Sequence, residues 1–278
     1  MPSLKHQPAP PLDRLVACFW WSERHEPLAA AEHMLPTGTA CLVFPLHDLP
    51  MTCVSGPSGD EVLVWRRGLV HGPQSRFYRS GPKTAGAVAG VALRPGAIRE
   101  ILGVPASEIA GRHVPVDALW GRRAETLHAR LCEAARPPAI FEVLEQELLA
   151  QLTKPLLLHP AVAHALLRAR RPRVRVEDVR REVELSPRHF IGLFHDSVGY
   201  TPGRYYRIRR FAHVVQALAE HGPRNLAQLA DAAGYSDQSH LIREFREHAG
   251  MTPTQYNPID AASPHHHTTH DETGRKRT

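Results

Sequence analysis

The 278-residue chain is 42% hydrophobic and 22% charged, with 34 Lys plus Arg against 28 Asp plus Glu, a net charge of +6 when histidine is neutral. This length accommodates two domains. Charges interrupt every apolar stretch, so neither a membrane span nor a signal peptide is expected, and the protein is assigned to the cytoplasm.

Residues 1–11 are proline-rich and read as a flexible lead-in. From residue 12 the pattern is β-type. Runs at Leu15–Trp21, Thr39–Leu46, Glu61–Trp65 and Ala85–Leu93 are punctuated by Pro36, Gly38, Pro45 and the Gly56–Gly59 stretch, which predicts a small antiparallel sheet or barrel. After Pro95 the period becomes helical, through Ile98, Ile101 and Leu102, then Leu119, Leu127 and Leu131, then Val143 to Leu152, with a break at Pro137-Pro138. Leu144, Leu148 and Leu152 make an i, i+4 row that packs internally or pairs with a second subunit. Residues 12–154 are therefore expected to form a β-rich effector or dimerisation domain ending in helices.

Chemistry is sparse in this front half. Cys18, Cys41, Cys53 and Cys132 are scattered, without the close pair that zinc requires or an evident nucleophile setting. Small core residues are the expectation for them. Trp20, Trp21 and Trp65 with Arg94 either line an apolar pocket with one anion clamp or belong to the core. No catalytic residue, cofactor site or metal site is assigned.

Residues 155–257 carry most of the excess charge, 15 basic against 10 acidic. They also contain a repeat. Phe194 to Tyr205 and Phe245 to Tyr256 share the order Phe, four residues, Gly, one residue, Thr-Pro, two residues, Tyr. Gly199 and Gly250 suit the left-handed conformation that ends a helix, and each Thr-Pro offers a capping hydroxyl and a first-turn proline. Upstream of the second copy, Leu226, Leu229, Ala230 and Ala233 line a short helix, Gly234-Tyr235-Ser236 makes a turn, and a second helix starts at Asp237. That is the helix-turn-helix order. The first copy runs Val176–Val183, Glu184-Leu185-Ser186, then Pro187–Asp196, with Arg180 in place of Ala230 and Glu184 in place of Gly234, where a positive φ would be costly. The helix expected from Pro202 to about Glu220 spans roughly 28 Å at ~1.5 Å per residue, close to the roughly 34 Å turn of duplex DNA.

Residues from about Leu157 to Asn257 resemble the DNA-binding domain of the AraC/XylS family of transcription regulators, the segment LAQLADAAGYSDQSHLIREFREHAGMTPTQY in particular. The phrases HMLPTGTACLVF, GVALRPGAIREILGVPASEI and VPVDALWG are similar to a domain of unknown function that precedes this reading head in one branch of the family. The chain departs from that pattern at Thr37, where such domains usually place an acidic residue.

The resemblance implies an α+β chain: a β-rich sensor-type domain followed by helices, then an all-α domain with two helix-turn-helix motifs joined by a long helix. By its pattern, bases are read by Arg188 and His189 in the first recognition helix and by Gln238, Ser239 and Arg243 in the second. Gln suits adenine and Arg guanine as two-pronged partners. Gly192, at a base-reading position, has no side chain to offer, so a degenerate first half-site is expected. Phosphates are assigned to Ser186, Ser236 and Arg204, the last within a cluster with Arg207, Arg209 and Arg210.

Residues 258–278 hold His265-His266-His267, His270 and a terminal Arg-Lys-Arg, and read as a disordered tail with adventitious metal affinity only. The expected partners are promoter DNA, RNA polymerase if the protein activates, and a small-molecule effector, with a homodimer left open and no membrane. The competing reading is a bifunctional cysteine-dependent DNA-modifying enzyme.

Overall fold

The computed structural model describes residues 3–26, 32–47, 49–55, 61–81, 85–134, 136–152, 158–223, 225–259 and 264–268. The expected domain junction at 154/155, the Gly56–Gly59 stretch, His270 and the terminal basic triplet lie outside them.

The front half is built on two antiparallel sheets. Strands β1 (Ser3–His6), β2 (Val16–Arg24), β3 (Glu32–Met34), β4 (Cys41–Pro45), β5 (Met51–Ser55), β6 (Glu61–Trp65), β7 (Leu69–His71), β8 (Tyr78–Ser80), β9 (Gly86–Leu93) and β10 (His113–Pro115) are joined by β11 (His266–Thr268) from the far end of the chain. The larger sheet has the order β1-β2-β9-β4-β7-β10 and the smaller β11-β3-β8-β5-β6. Alternation decides the inward face: Phe19 on β2, Leu42 and Phe44 on β4, and Val91 and Leu93 on β9 are almost wholly buried.

Against that face pack the helices that follow. They are α1 (Ile98–Leu102), α2 (Ala106–Ile109), α3 (Val116–Trp120), α4 (Arg122–Glu133) and α5 (Pro137–Gln151). Ile98, Ile101, Leu127, Leu131, Leu144 and Leu148 share one apolar cluster with the strands, so the leucine row of α5 faces inward. Trp65 joins Cys53 and Leu69 in a smaller cluster, Trp21 packs on the main core, and Arg94 Nε–H donates to the carbonyl of Asp13 (2.7 Å). Those tryptophans and the arginine serve the core rather than a pocket.

Two expectations about the ends are corrected. The lead-in is ordered from Ser3 to His6, which pairs with Phe19–Ser22 of β2, while His6 stacks on Phe141. Its pairing satisfies an otherwise open sheet edge, a long-range gain that proline content does not reveal. In the tail, β11 pairs with Glu32–Met34 of β3, and the Tyr256 hydroxyl donates to the carbonyl of Pro264 (2.5 Å). Histidine serves there as a strand residue: His267 is buried, and burial lowers the His265 pKa to about 4.

The C-terminal half is helical: α6 (Pro160–Arg168), α7 (Val176–Glu182), α8 (Pro187–Val198), α9 (Pro202–His221), α10 (Leu226–Ala233) and α11 (Gln238–Ala249). Its apolar interior has two parts. Phe190, Phe194, Val198, Tyr205 and Ile208 center on α8, and Phe211, Val215, Leu241, Phe245 and Tyr256 center on α11, with α9 contributing to both.

Candidate nucleic-acid interface

The two helix pairs α7/α8 and α10/α11 flank α9, whose 20 residues give it a length of about 30 Å at ~1.5 Å per residue. The second pair has the full turn chemistry. Gly234 closes α10 at φ 79°, its N–H and that of Tyr235 returning to the last carbonyls of α10, and buried Ala230 sits at the helix crossing. Asp237 then caps α11, its carboxylate accepting from the amide of His240 (2.8 Å). That amide and the Ser236 hydroxyl hold the Asp237 carboxyl below its usual range.

The first pair turns differently. Here α7 ends at Val183 in extended backbone, and Glu184 has no positive φ, so the cost expected at that position does not arise. Ser186 caps α8 by accepting from the His189 amide (3.4 Å), and Gly199 ends it at φ 92°. Thr201 caps α9 in turn. After Gly250, by contrast, Thr252 and Pro253 start only a turn, in which the Thr252 amide and hydroxyl both donate to Gln255 Oε1, so no new helix forms.

Gln238, Ser239 and Arg243 are exposed on the outer side of α11, where Ser239, Ile242, Arg243 and Arg246 line one shallow concavity. Arg246, three residues beyond Arg243, escaped the sequence reading although the i, i+3 spacing points to it. Arg188 and His189 are exposed in the first turn of α8, and the position of a Cβ on Gly192 is open space.

The assigned phosphate contacts fare less well. Ser186 is exposed at its helix start, but the Ser236 hydroxyl is bound to Asp237 Oδ2 (2.9 Å) and His240 Nδ1 (3.1 Å) beside an anionic cap that repels phosphate. Arg204 donates to Ser75 Oγ of the front domain (2.7 Å) and lies over the Tyr200 ring. Arg207 pairs with Glu244 (2.6 Å) and Glu247 (2.5 Å), while Arg210 reaches Glu244, donates to the Gly234 carbonyl (3.0 Å) and covers the Tyr235 ring. Arg207 and Arg210 thus tie helices together and Arg204 ties α9 to the front domain, so three of the four clustered arginines do not stand free for DNA. Glu244, only 4% exposed, is what draws two of them inward.

A strap from the front domain crosses the same region. The Tyr200 hydroxyl donates to the Pro73 carbonyl (2.6 Å), His248 Nδ1–H donates to the Ser75 carbonyl (2.6 Å), and the Phe77 amide donates to the His248 carbonyl (2.8 Å). The Phe77 ring lies against Gly250, where any Cβ would fall 2.4 Å from it. Residues 73–77 therefore touch the C-terminal ends of both α8 and α11. The Pro36-Thr37-Gly38 loop adds to this seam, with Gly38 against Tyr205 and Ile208 of α9. Thr37 itself bonds to Thr39 (2.7 Å).

Of the four cysteines Cys53 is buried and Cys18 and Cys41 are partly so, whereas Cys132, expected in the core, is exposed on α4 with its Sγ 3.7 Å from His128 Nε2. Burial pushes the Cys41 thiol up to about 12 and raises that of Cys18, which leaves both protonated near neutrality. Among the described residues no group of three or more His, Cys, Asp or Glu is set to hold a metal ion, and no helix is long and apolar enough to cross a membrane.

Comparison with known proteins matches the two parts of the chain separately. Residues 179–258 match a helix-turn-helix domain family, and residues 4–115 match a domain of unknown function, DUF6597. The chain is 36% identical over 72 residues to the probable transcriptional regulator LumQ of Photobacterium leiognathi, covering 26% of this chain and 29% of that protein. It is 34% identical over 83 residues to the HTH-type transcriptional regulator Rv1931c of Mycobacterium tuberculosis, covering 30% and 31%. The chain thus matches less than a third of the length of either relative. The crystal structure of ToxT from Vibrio cholerae O395 aligns over 85% of this chain and 96% of its own at a TM-score of 0.46 and 10% identity, a likeness too loose to add to the strands and helices described above.

Proposed function

We propose that this AraC/XylS-like chain is a sequence-specific, DNA-binding transcription regulator without catalytic activity, in which residues 12–154 instruct a reading head at 155–257. The observation that carries it is the pairing of two helix-turn-helix units on one connecting helix of about duplex-turn length, each presenting exposed polar side chains at the start of its second helix. Gln238, Ser239 and Arg243 read bases in one major-groove segment, and Arg188 and His189 read the next, with less discrimination because Gly192 contributes nothing. Ser186 holds phosphate through the start of α8. Arg204 belongs instead to the seam with the front domain.

That seam supports the further reading that an effector or partner acts at the front domain, in the cytoplasm, with RNA polymerase contacted where the protein activates. A ligand-dependent rise in Tm would support a small effector.

The test is selection from random duplex DNA by the purified full chain, followed by titration of the enriched site against salt. One sharp element about a helical turn from a blurred one is expected. Absence of any enrichment, with binding that depends on salt alone, would overturn sequence-specific reading.

A further inference from the structure

Arg204, Arg207 and Arg210 of α9 are engaged within the protein, yet the C-terminal half keeps an excess of positive charge. Much of it lies in a segment to which no role has been given. Arg168, Arg170, Arg171, Arg173 and Arg175 fall within eight residues, in and after the last turn of α6. Arg170, Arg171 and Arg175 are exposed and make no ion pair among the described residues. Arg168 pairs with Glu182 (2.8 Å) and Arg173 with Asp231 (2.5 Å), both near the surface, where such pairs exchange readily for a better anion.

The segment is held in place by its backbone. The His213 ring of α9 reaches the Arg170 carbonyl (3.0 Å), and the amides of Arg171 and Val174 return to the carbonyls of Arg168 and Arg171. Leu167, Arg168, Arg170 and Arg171 line one shallow concavity on this surface. The backbone of the turn is thus fixed before binding, which leaves only the arginine side chains to be ordered.

Its position is between the two reading units. The Pro172 carbonyl and Arg173 Cα lie 3.1 and 3.3 Å from where a Cβ on Gly234 would stand, so the segment abuts the turn of the second unit, four residues before the base-reading end of α11. Arg175 is the cap residue of α7, the first helix of the other unit. In helix-turn-helix docking the second helix enters the groove while the first crosses the backbone. With two such units on successive groove segments, the duplex between them presents a minor groove edged by phosphates.

We propose that the arginine turn from Arg168 to Arg175 is a phosphate-binding bridge, which grips the DNA backbone between the two half-sites through Arg170, Arg171 and Arg175. This rests on the reading of the chain as a two-unit DNA binder. The bridge adds affinity and fixes register but carries no base preference.

The experiment compares the full chain with Arg170→Ala, Arg171→Ala and Arg175→Ala, singly and combined, on the selected duplex and on an unrelated one across a salt series. Each lost contact is expected to lower the slope of log affinity against log salt by about 0.9. The triple variant should bind both duplexes more weakly while its selected motif and melting temperature stay as in the parent. Uncharged methylphosphonate linkages in the spacer between half-sites should weaken the parent and leave the triple variant nearly unaffected. An unchanged slope, or a spacer modification that weakens parent and variant equally, overturns the bridge. Failure of the parent to prefer any sequence overturns the regulator reading instead, and the bridge is then still decided by the slope on unrelated DNA.

Discussion

The two helix-turn-helix units share a repeat but differ in what holds them. The second is closed by a left-handed glycine, crossed at an alanine and tied to α9 through buried Glu244. The first turns through extended residues, leaves Glu184 exposed, and has Leu193 at the position equivalent to Glu244. Both units have an apolar interior, but the second adds a buried carboxylate network and a glycine turn between its helices that the first lacks. The same architecture is therefore reached by two routes, with different sensitivities to substitution.

Removing the central charge should separate the units most. Glu244→Ala leaves Arg210 without its carboxylate and Arg207 with Glu247 alone, and should cost about 3 kcal/mol in urea melts; Leu193→Gln, which keeps much of the side-chain stem, should cost less. A cost below that of the Leu193 change would mean the network is not what holds the second unit. In binding, Arg243→Ala should lose about 1 to 3 kcal/mol on the best site and relax preference at one base pair. Arg188→Ala should lose less if the first unit reads loosely, and equal losses would erase the inequality.

Acidity offers a third probe. Burial lowers the His248 pKa below its ordinary 6.5, against the opposing hydrogen bond to Ser75, and Nε2 is buried without a partner. A group depressed in the folded state takes its proton first in the unfolded chain, so the stability it confers is present above pH 6.5 and lost as pH falls through the folded value. Hydrogen exchange at pH 7.5 and 5.5 should show the α11 amides losing protection before those of α8. Simultaneous loss would assign the effect elsewhere, for instance to His33, whose pKa burial lowers to about 4.

Backbone changes should be smaller. Gly234→Ala places a Cβ at φ 79° and 3.1 Å from the Pro172 carbonyl, and should cost about 1 to 2 kcal/mol. Glu184→Gly should stay within about 0.5 kcal/mol of the parent. Smallest of all, Gly192→Gln meets open space and should gain roughly 0.5 kcal/mol of helix stability. If the first half-site is blurred for want of a side chain there, repeated selection with this variant should sharpen one of its positions.

What was legible in the sequence was local. The second unit could be read because Ala230, Gly234 and Gly250 act within a few residues of themselves, and β2, β4, β6 and β9 because each is an apolar run of five residues or more, although β5, also of five residues, escaped the reading. Three-residue strands such as β3, β7, β8 and β10 carry no period of their own and exist through pairing with distant partners. The arginines of α9 misled for the same reason. Glu244 lies 37 residues from Arg207, and Ser75 lies 129 from Arg204, so nothing nearby marks those side chains as occupied. Within the candidate site, outward placement of Gln238, Ser239, Arg243, Arg188 and His189 was readable from helical spacing, whereas the roles of Ser236 and Arg204 depended on neighbours.

The strap at residues 73–77 constrains how any message can pass along this molecule. It leaves the larger sheet after His71, enters the smaller one at Tyr78, and in between fastens the far ends of both α8 and α11. On the proposed reading, a movement at that join would bear on the phase between two groove contacts, comparable to the pitch between two teeth of a gear, and DNA whose half-sites are a base pair too near or too far is where it would be felt.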